Sequence, residues 1–444
     1  ERQERRSLAQ FDRFRVAARQ AEAALFFPDG SSSRRGLERG AAALAIYDVL
    51  GSDSWTSSDA VRALPFDARQ ALRRETAELL HLMAAQAIEA ERSPRDSTSP
   101  VSLRTLPDRA ALERAAERLK TELADDELRT LDSLAVTDPL TVASDRFLAG
   151  DFDGALRTID AALERTPDRF ALWFLAGKCR YERREYREAD GCFTAAGRID
   201  PSSALARVAR AACHYWQQDS TRALELLDEA ERLEPSLPAL HVNRALVLER
   251  SGDLPGAIAA IDRAIELEPD SLRHRSVRSR LRRASGDLSG AEADLAELAA
   301  RTPVDGEGWI LRGLARLSTS NDQAIADFRE AARWPASRAV ALQNIAHVQS
   351  ERMGDRDGAI ETLGELLASH PDFLPALTGR AVLKARRGDR DGALANVAAA
   401  GRRVLTPQLH YQLACVHALL SRDDPSQCDA AFDHLGRALA PAYG

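Results

Sequence analysis

Two groupings in this sequence carry residue types that could do chemistry. Near the C-terminus, His410, Cys415, His417, Cys428 and His434 fall close together in the chain. Imidazole and thiolate are zinc ligands, but a structural zinc needs four of them converging as a tetrahedron. These spacings match no standard zinc pattern, and packed residues at the end of a fold are the competing reading. Cys415 and Cys428 flank a loop on opposite helices, so a disulfide is geometrically conceivable in an oxidising compartment. The second grouping is Ser271-Leu-Arg-His-Arg-Ser-Val-Arg-Ser-Arg-Leu-Arg-Arg283, with arginine at 273, 275, 278, 280, 282 and 283. Guanidinium forks pair bidentately with carboxylate or phosphate, which suits an acidic or phosphorylated ligand. The competing reading is pairing with Glu249 and Glu307 plus a solvated face. Like charges on one helix cost only a few tenths of a kcal/mol per pair, so their crowding alone proves no function.

Other chemistry is absent from the sequence. It holds no H-E-x-x-H and no nucleophile elbow, and Gly306-Glu-Gly308 is a lone weak match to a phosphate-cradling loop. No catalytic residue, cofactor or metal is therefore expected. The chain has 444 residues, 61 basic against 68 acidic, a formal charge of −7 and a pI near 5.8, which argues against a nucleic-acid binder. No apolar run approaches the roughly 18 residues of a membrane helix. Five cysteines without a C-x-x-C make no disulfide scaffold, and Cys179 and Cys213 share one repeat position, which favours burial. The chain opens at Glu1 and its methionines are Met83 and Met353, so it reads as a fragment or processed product. The compartment stays open: cytoplasm is favoured, or an extracytoplasmic place if a membrane span precedes Glu1.

The elements that would position these residues follow a 34-residue ruler. Pro167, Pro201, Pro235, Pro269 and Pro303 stand 34 apart. Twelve residues before each stands an alanine, and the series runs Ala155, Ala189, Ala223, Ala257, Ala291, Ala324, Ala359 and Ala393. Eight in phase has a chance of about one in a million at this alanine content. A large apolar residue follows at +4 (Ile159, Phe193, Leu227, Ile261, Leu295, Phe328, Leu363, Val397) and a small or apolar one at +7, one face of a helix. Gly-Asp pairs at 150, 252, 286, 354 and 388 precede the alanine helix, the glycine ending one helix and the aspartate capping the next. Each unit is a helix hairpin that buries its apolar face only by stacking.

These residues resemble the tetratricopeptide repeat, W-x-x-L-G-x-x-Y…A-x-x-x-F…A…P. Trp173, Gly177, Ala189, Phe193, Ala196 and Pro201 carry the pattern in repeat two, and Trp309 and Gly313 recover it in repeat six. The resemblance implies an all-α, right-handed solenoid of eight or nine hairpins with an N-terminal helical cap. Repeats fall at 136–169, 170–203, 204–237, 238–271, 272–305, 306–338, 340–373 and 374–407, with a degenerate ninth at 408–444. Upstream, 1–92 reads as a helical region, 93–108 as a Ser/Pro linker and 109–135 as a helical cap over the array's first face. By the same resemblance, positions 2, 5, 9 and 12 of each first helix line an inner groove. Arg273, Arg280 and Arg283 occupy such positions, as do Phe174, Lys178, Tyr181, Val208, Tyr215 and Asn344, with Trp216 one step on. This sector could hold apolar peptide side chains. Asn243 alone recovers the carboxylate clamp of chaperone-binding members; Val208 and Ala212 stand where it needs Lys and Asn, so that clamp is missing.

Ala21-Glu22-Ala23-Ala24-Leu25-Phe26 and Tyr411-Gln-Leu-Ala-Cys-Val-His-Ala-Leu-Leu-Ser421 resemble the ends of the repeat region in planctomycete-type serine/threonine protein kinases. No G-x-G-x-x-G, H-R-D or D-F-G occurs, so that resemblance implies the scaffold half of a bacterial signalling kinase. The expected function is non-enzymatic recruitment of a protein or peptide. Two alternatives stand beside it: a regulatory or sensor partner of an effector such as a caspase-like peptidase, and an enzyme using the C-terminal His/Cys group.

Overall fold

Every regular element in the described residues is helical. The computed structural model describes residues 2–25, 30–92, 109–121, 139–403 and 405–439, so the expected linker at 93–108 lies outside them. The chain divides into two compact units, Glu1–Ala291 and Glu292–Gly444.

In the first unit, helices α1 (Arg2–Leu25), α2 (Gly30–Ala45), α4 (Phe66–Arg92) and α5 (Arg109–Thr121) precede the hairpins, with a one-turn α3 (Asp59–Arg62) between α2 and α4. Helix α2 stops at Ala45: residues 46–51 form a turn, with Asp48 at a positive φ of 54°. Phe14, Leu44, Leu72, Leu79, Leu80 and Met83 are fully buried here, and their core continues into Leu172, Leu175 and Cys179. The N-terminal helices reach beyond the first hairpin. Glu78 pairs with Arg169 at 3.3 Å, and Arg39 pairs with Glu234 at the end of the third hairpin.

The hairpins follow as α6/α7 (Pro139–Leu148, Phe152–Leu163), α8/α9 (Phe170–Glu182, Tyr186–Ile199), α10/α11 (Ala204–Trp216, Ser220–Leu233) and α12/α13 (Pro238–Arg250, Leu254–Leu267). Helix α14 (Leu272–Ser285) opens the fifth, whose partner α15 (Leu288–Ala300) runs across the unit boundary. The second unit holds α16/α17 (Gly306–Arg316, Asn321–Ala331), α18/α19 (Pro335–His347, Arg356–Ser369), α20/α21 (Leu374–Arg387, Arg390–Ala400) and α22/α23 (Pro407–Leu420, Cys428–Leu439). This is an all-α solenoid of stacked helix hairpins.

The ruler explains the stacking. All eight phase alanines are 0–1% exposed, and the eight residues at +7 are at most 5% exposed. A methyl group at the phase position lets neighbouring helices approach, and the apolar residue at +4 fills the space between them. The turns obey the same chemistry. Gly150, Gly252, Gly286, Gly354 and Gly388 all take positive φ, and Asp151, Asp253, Asp355 and Asp389 each accept a hydrogen bond from the backbone N–H three residues on. Hairpins two and three lack the glycine, and Arg184 and Gln218 adopt the left-handed conformation instead, at φ 63° and 64°.

Candidate peptide-binding site

Helix α14 starts at the Ser271 cap, whose hydroxyl accepts from the His274 N–H, and ends at Gly286. Most of its arginines have structural work. Arg275, 5% exposed, donates to the Pro269 carbonyl. That repeats the bond from Trp173 Nε1 to the Pro167 carbonyl at 2.8 Å and the contact of His241 Nε2 with Pro235 at 2.9 Å. Arg278 pairs with Asp262 at 2.8 Å, and Arg282 donates to the Gly290 carbonyl at 3.3 Å. Arg280 pairs with Glu249, one of the two partners expected from sequence. Arg273 and Arg283 are exposed, and Arg283 forms no ion pair among the described residues. The outward face of α14 therefore presents Arg273, Arg280 and Arg283 together.

The aromatic sector forms a connected cluster. Trp216 Nε1 donates to Tyr181 Oη at 2.6 Å, and its indole stacks on Tyr186 at 5.7 Å and 9°. Tyr215 meets Trp216 edge-on at 5.3 Å, and the Arg250 guanidinium lies 4.2 Å from the Tyr215 ring centre. Trp216 stays 47% exposed, while burial pushes the Tyr181 hydroxyl up to about 12. Tyr186 and Arg250 were not among the sequence candidates; the aromatic run Tyr181, Tyr186, Tyr215 and Trp216 was the available signal.

Other candidates are engaged elsewhere. Phe174 and Val208 belong to the core, at 0% and 1% exposure, because position 5 of these repeats faces neighbouring helices. The Phe174 ring packs on Phe193 at 5.2 Å. Lys178 lies over the Phe147 ring at 4.8 Å, and Asn243 Nδ2 donates to its own helix at the Ala239 carbonyl, 2.8 Å away. Asn344 is half-buried on α18, far along the chain from the other candidates.

The C-terminal imidazoles do meet. His410 Nδ1 and His434 Nδ1 are 2.9 Å apart, and His417 stacks on His434 at 5.6 Å and 12°. His417 Nδ1 contacts Gln427 Oε1 at 2.9 Å. Burial, then the neighbouring His417 and His410, holds His434 below the ordinary imidazole range. Cys415 and Cys428 are half-buried free thiols. Among the described residues no group of three or more His, Cys, Asp or Glu side chains is placed to hold a metal ion. Cys179, Cys192 and Cys213 are buried, and burial pushes the Cys179 thiol up to about 12, which removes thiolate character.

One feature of this surface was hidden in the sequence. Arginine recurs at 210, 244, 278, 312 and 380, always one residue before the small position of the first helix. These arginines reach helix-borne acceptors: Arg210 to Asp190 at 2.8 Å, Arg244 to Asp228 at 2.9 Å, Arg312 to Asp327 at 2.7 Å and Arg380 to Asn396 at 2.9 Å. Their 34-residue spacing was the signal, hidden by the abundance of arginine.

A tetratricopeptide-repeat family profile matches residues 143–204 and 214–271, and a second one matches 341–372. These segments are tetratricopeptide repeats. No curated protein matches the chain. Among solved structures the chain is similar to a thermophilic tetratricopeptide protein of Thermus thermophilus, at 22% identity and TM-score 0.37, covering 41% of this chain and 98% of that one. It is similar to a tetratricopeptide protein of Parabacteroides merdae at 14% identity and TM-score 0.41, over 61% and 97%. It is also similar to the APC/C hetero-tetramer Cut9–Hcn1 at 17% identity and TM-score 0.41, over 92% and 73%. Among the described residues no helix is long and apolar enough to cross a membrane. Tetratricopeptide repeats over those segments support a protein-interaction scaffold.

Proposed function

We propose that the array acts without catalysis and recruits an acidic or phosphorylated peptide to the face of α14, with Arg273, Arg280 and Arg283 as its anion contacts. The observation that carries this reading is the charge of that face: three guanidiniums stand outward on a single helix, and Glu249 pairs with Arg280 among them. Arginine forks bind carboxylate and phosphate bidentately, and the exposed Trp216 with Tyr215 offers a platform for an apolar anchor. Lys178, Tyr181, Asn243 and Asn344 contribute less, since three of them already bond within the protein. The test is a pull-down and anisotropy titration comparing the chain with its Arg280→Glu/Arg283→Glu variant. Loss of an acidic peptide with retained folding supports the reading; equal recovery counts against it.

The same proposal places the array as the recruiting region of a signalling kinase, on the resemblance of its end segments. Kinase motifs encoded upstream of Glu1 in the natural gene would support that placement, and a different upstream domain would remove it.

A further inference from the structure

The tetratricopeptide ruler slips once. From Ala291 to Ala324 the step is 33 residues, and from Ala324 to Ala359 it is 35. At that point α17 (Asn321–Ala331) has 11 residues, against 14 in each of α9, α11 and α13. Helix α18 begins at Pro335, four residues after Ala331; α10, α12 and α14 begin eight residues after Ala196, Ala230 and Ala264. The surplus at the other end of α18 is absorbed by a π-helical turn, Val348–Arg352, closed by the Met353 N–H on the Val348 carbonyl at 3.1 Å. Such turns recur at functional sites.

A cavity of about 330 Å³ opens at this junction. Arg329, Arg333, Arg338 and Glu365 supply its charge and Leu342 and Ile345 its apolar wall. With Glu330, which pairs with Arg333, three guanidiniums less two carboxylates leave plus one. Arg333 is held by Glu330 at 2.7 Å and Arg338 by Glu365 at 2.8 Å, while Arg329 makes no ion pair among the described residues. The end of α17 explains cations at 329 and 333 through the helix dipole, but Arg338 sits in the first turn of α18, where the dipole opposes a cation. Its buried Nε has no acceptor.

We propose that this cavity binds a phosphate monoester carrying a short apolar group, with the oxyanion on Arg329 and Arg338 and the apolar part on Leu342 and Ile345. A phosphate monoester carries a charge of about −1.5 to −2 at neutral pH, opposite in sign to the net charge of the lining. The site uses none of the α14 residues, so either can fail alone.

The test is calorimetric titration of the full chain with phenyl phosphate, inorganic phosphate and benzoate. Phenyl phosphate is expected to saturate with a Kd of about 1 mM, fitting its small size. Arg329→Glu, at an exposed position, should weaken it about tenfold or more with unchanged circular dichroism. Arg280→Glu/Arg283→Glu should leave it unchanged. No saturation by about 20 mM, or wild-type binding by Arg329→Glu, overturns the site. Equal binding of benzoate overturns the phosphate assignment, and equal binding of inorganic phosphate overturns the apolar wall.

Discussion

Repeats three to five and repeat six use the same pair of residue types in the first helix, an arginine followed by a small residue, yet bury them differently. In the strictly phased repeats the arginine partners are surface groups: the side chains of Asp190, Asp228 and Asp262 are 22%, 58% and 40% exposed. In repeat six Asp327 is 3% exposed and is gripped by both Arg312 and Arg316. The reason lies in the apolar inventory. Helix α16 fully buries only Gly306, Gly308, Gly313 and Ala315, and its larger apolar side chains, Ile310 among them, are at most half-buried. The ion triad is buried beside them, with Arg312 lying 4.4 Å from the Trp309 ring centre. Charge trims the edge where apolar phase is complete and becomes core where it is not.

The largest effect should come from removing the buried acid. Asp327→Ala leaves two guanidiniums without their counterion and is expected to cost about 3 kcal/mol or more, whereas Asp262→Ala should cost less than about 1 kcal/mol. Denaturant melts of both variants decide it, and equal losses would break the comparison. Next come the signature glycines, where the two regions should agree. A methyl at Gly177 would stand 2.6 Å from the Phe193 ring and one at Gly313 2.5 Å from Phe328. Each Gly→Ala change should cost about 1–3 kcal/mol through overpacking, and a large difference between them would show that the packing is not equivalent. Helix caps should matter less: Asp253→Ala removes a 2.9 Å bond to the Gly256 N–H for about 1 kcal/mol. Ser320→Ala, which removes a 3.3 Å bond, should cost less by the same melts.

The smallest effect concerns pH. His434 resists protonation in the fold, so the unfolded chain binds the proton first as pH falls through the ordinary imidazole value near 6.5. The folded state then loses stability below that pH and is unaffected above it. The protection factors of amides in residues 428–439, taken against the intrinsic exchange rate at each pH, should fall between pH 7.5 and 5.5, and His434→Gln should remove the dependence. Persistence of the full effect in that variant would assign it to another group.

The fold was legible because its determinants are local and periodic. Alanine at a fixed phase, glycine before aspartate and proline after the second helix are each forced by close helix approach or by backbone conformation. The candidate site was less legible. Phe174 and Val208 sit at expected groove positions, yet their side chains turn into the core; position alone does not fix direction when a neighbouring helix offers a hole. Arg275 takes the hydrogen bond that Trp173 makes in repeat two, an exchange of residue type that no pattern of like residues reveals. The early end of α17 left a trace in the 33- and 35-residue steps. The ion triad left only the arginine phase, submerged among 61 basic residues.

The sparse apolar content of α14 sets its place in the hierarchy of local opening. Its fully buried residues are His274, Arg275, Ser279 and Leu281, and the cluster that receives Leu281 holds just five other buried side chains. Opening free energy scales with such contacts, so α14 should fray well before α8 or α10, which sit in far richer clusters. A peptide held by its arginines would then act as a splint, and amide protection in this one helix would report occupancy even where no backbone moves.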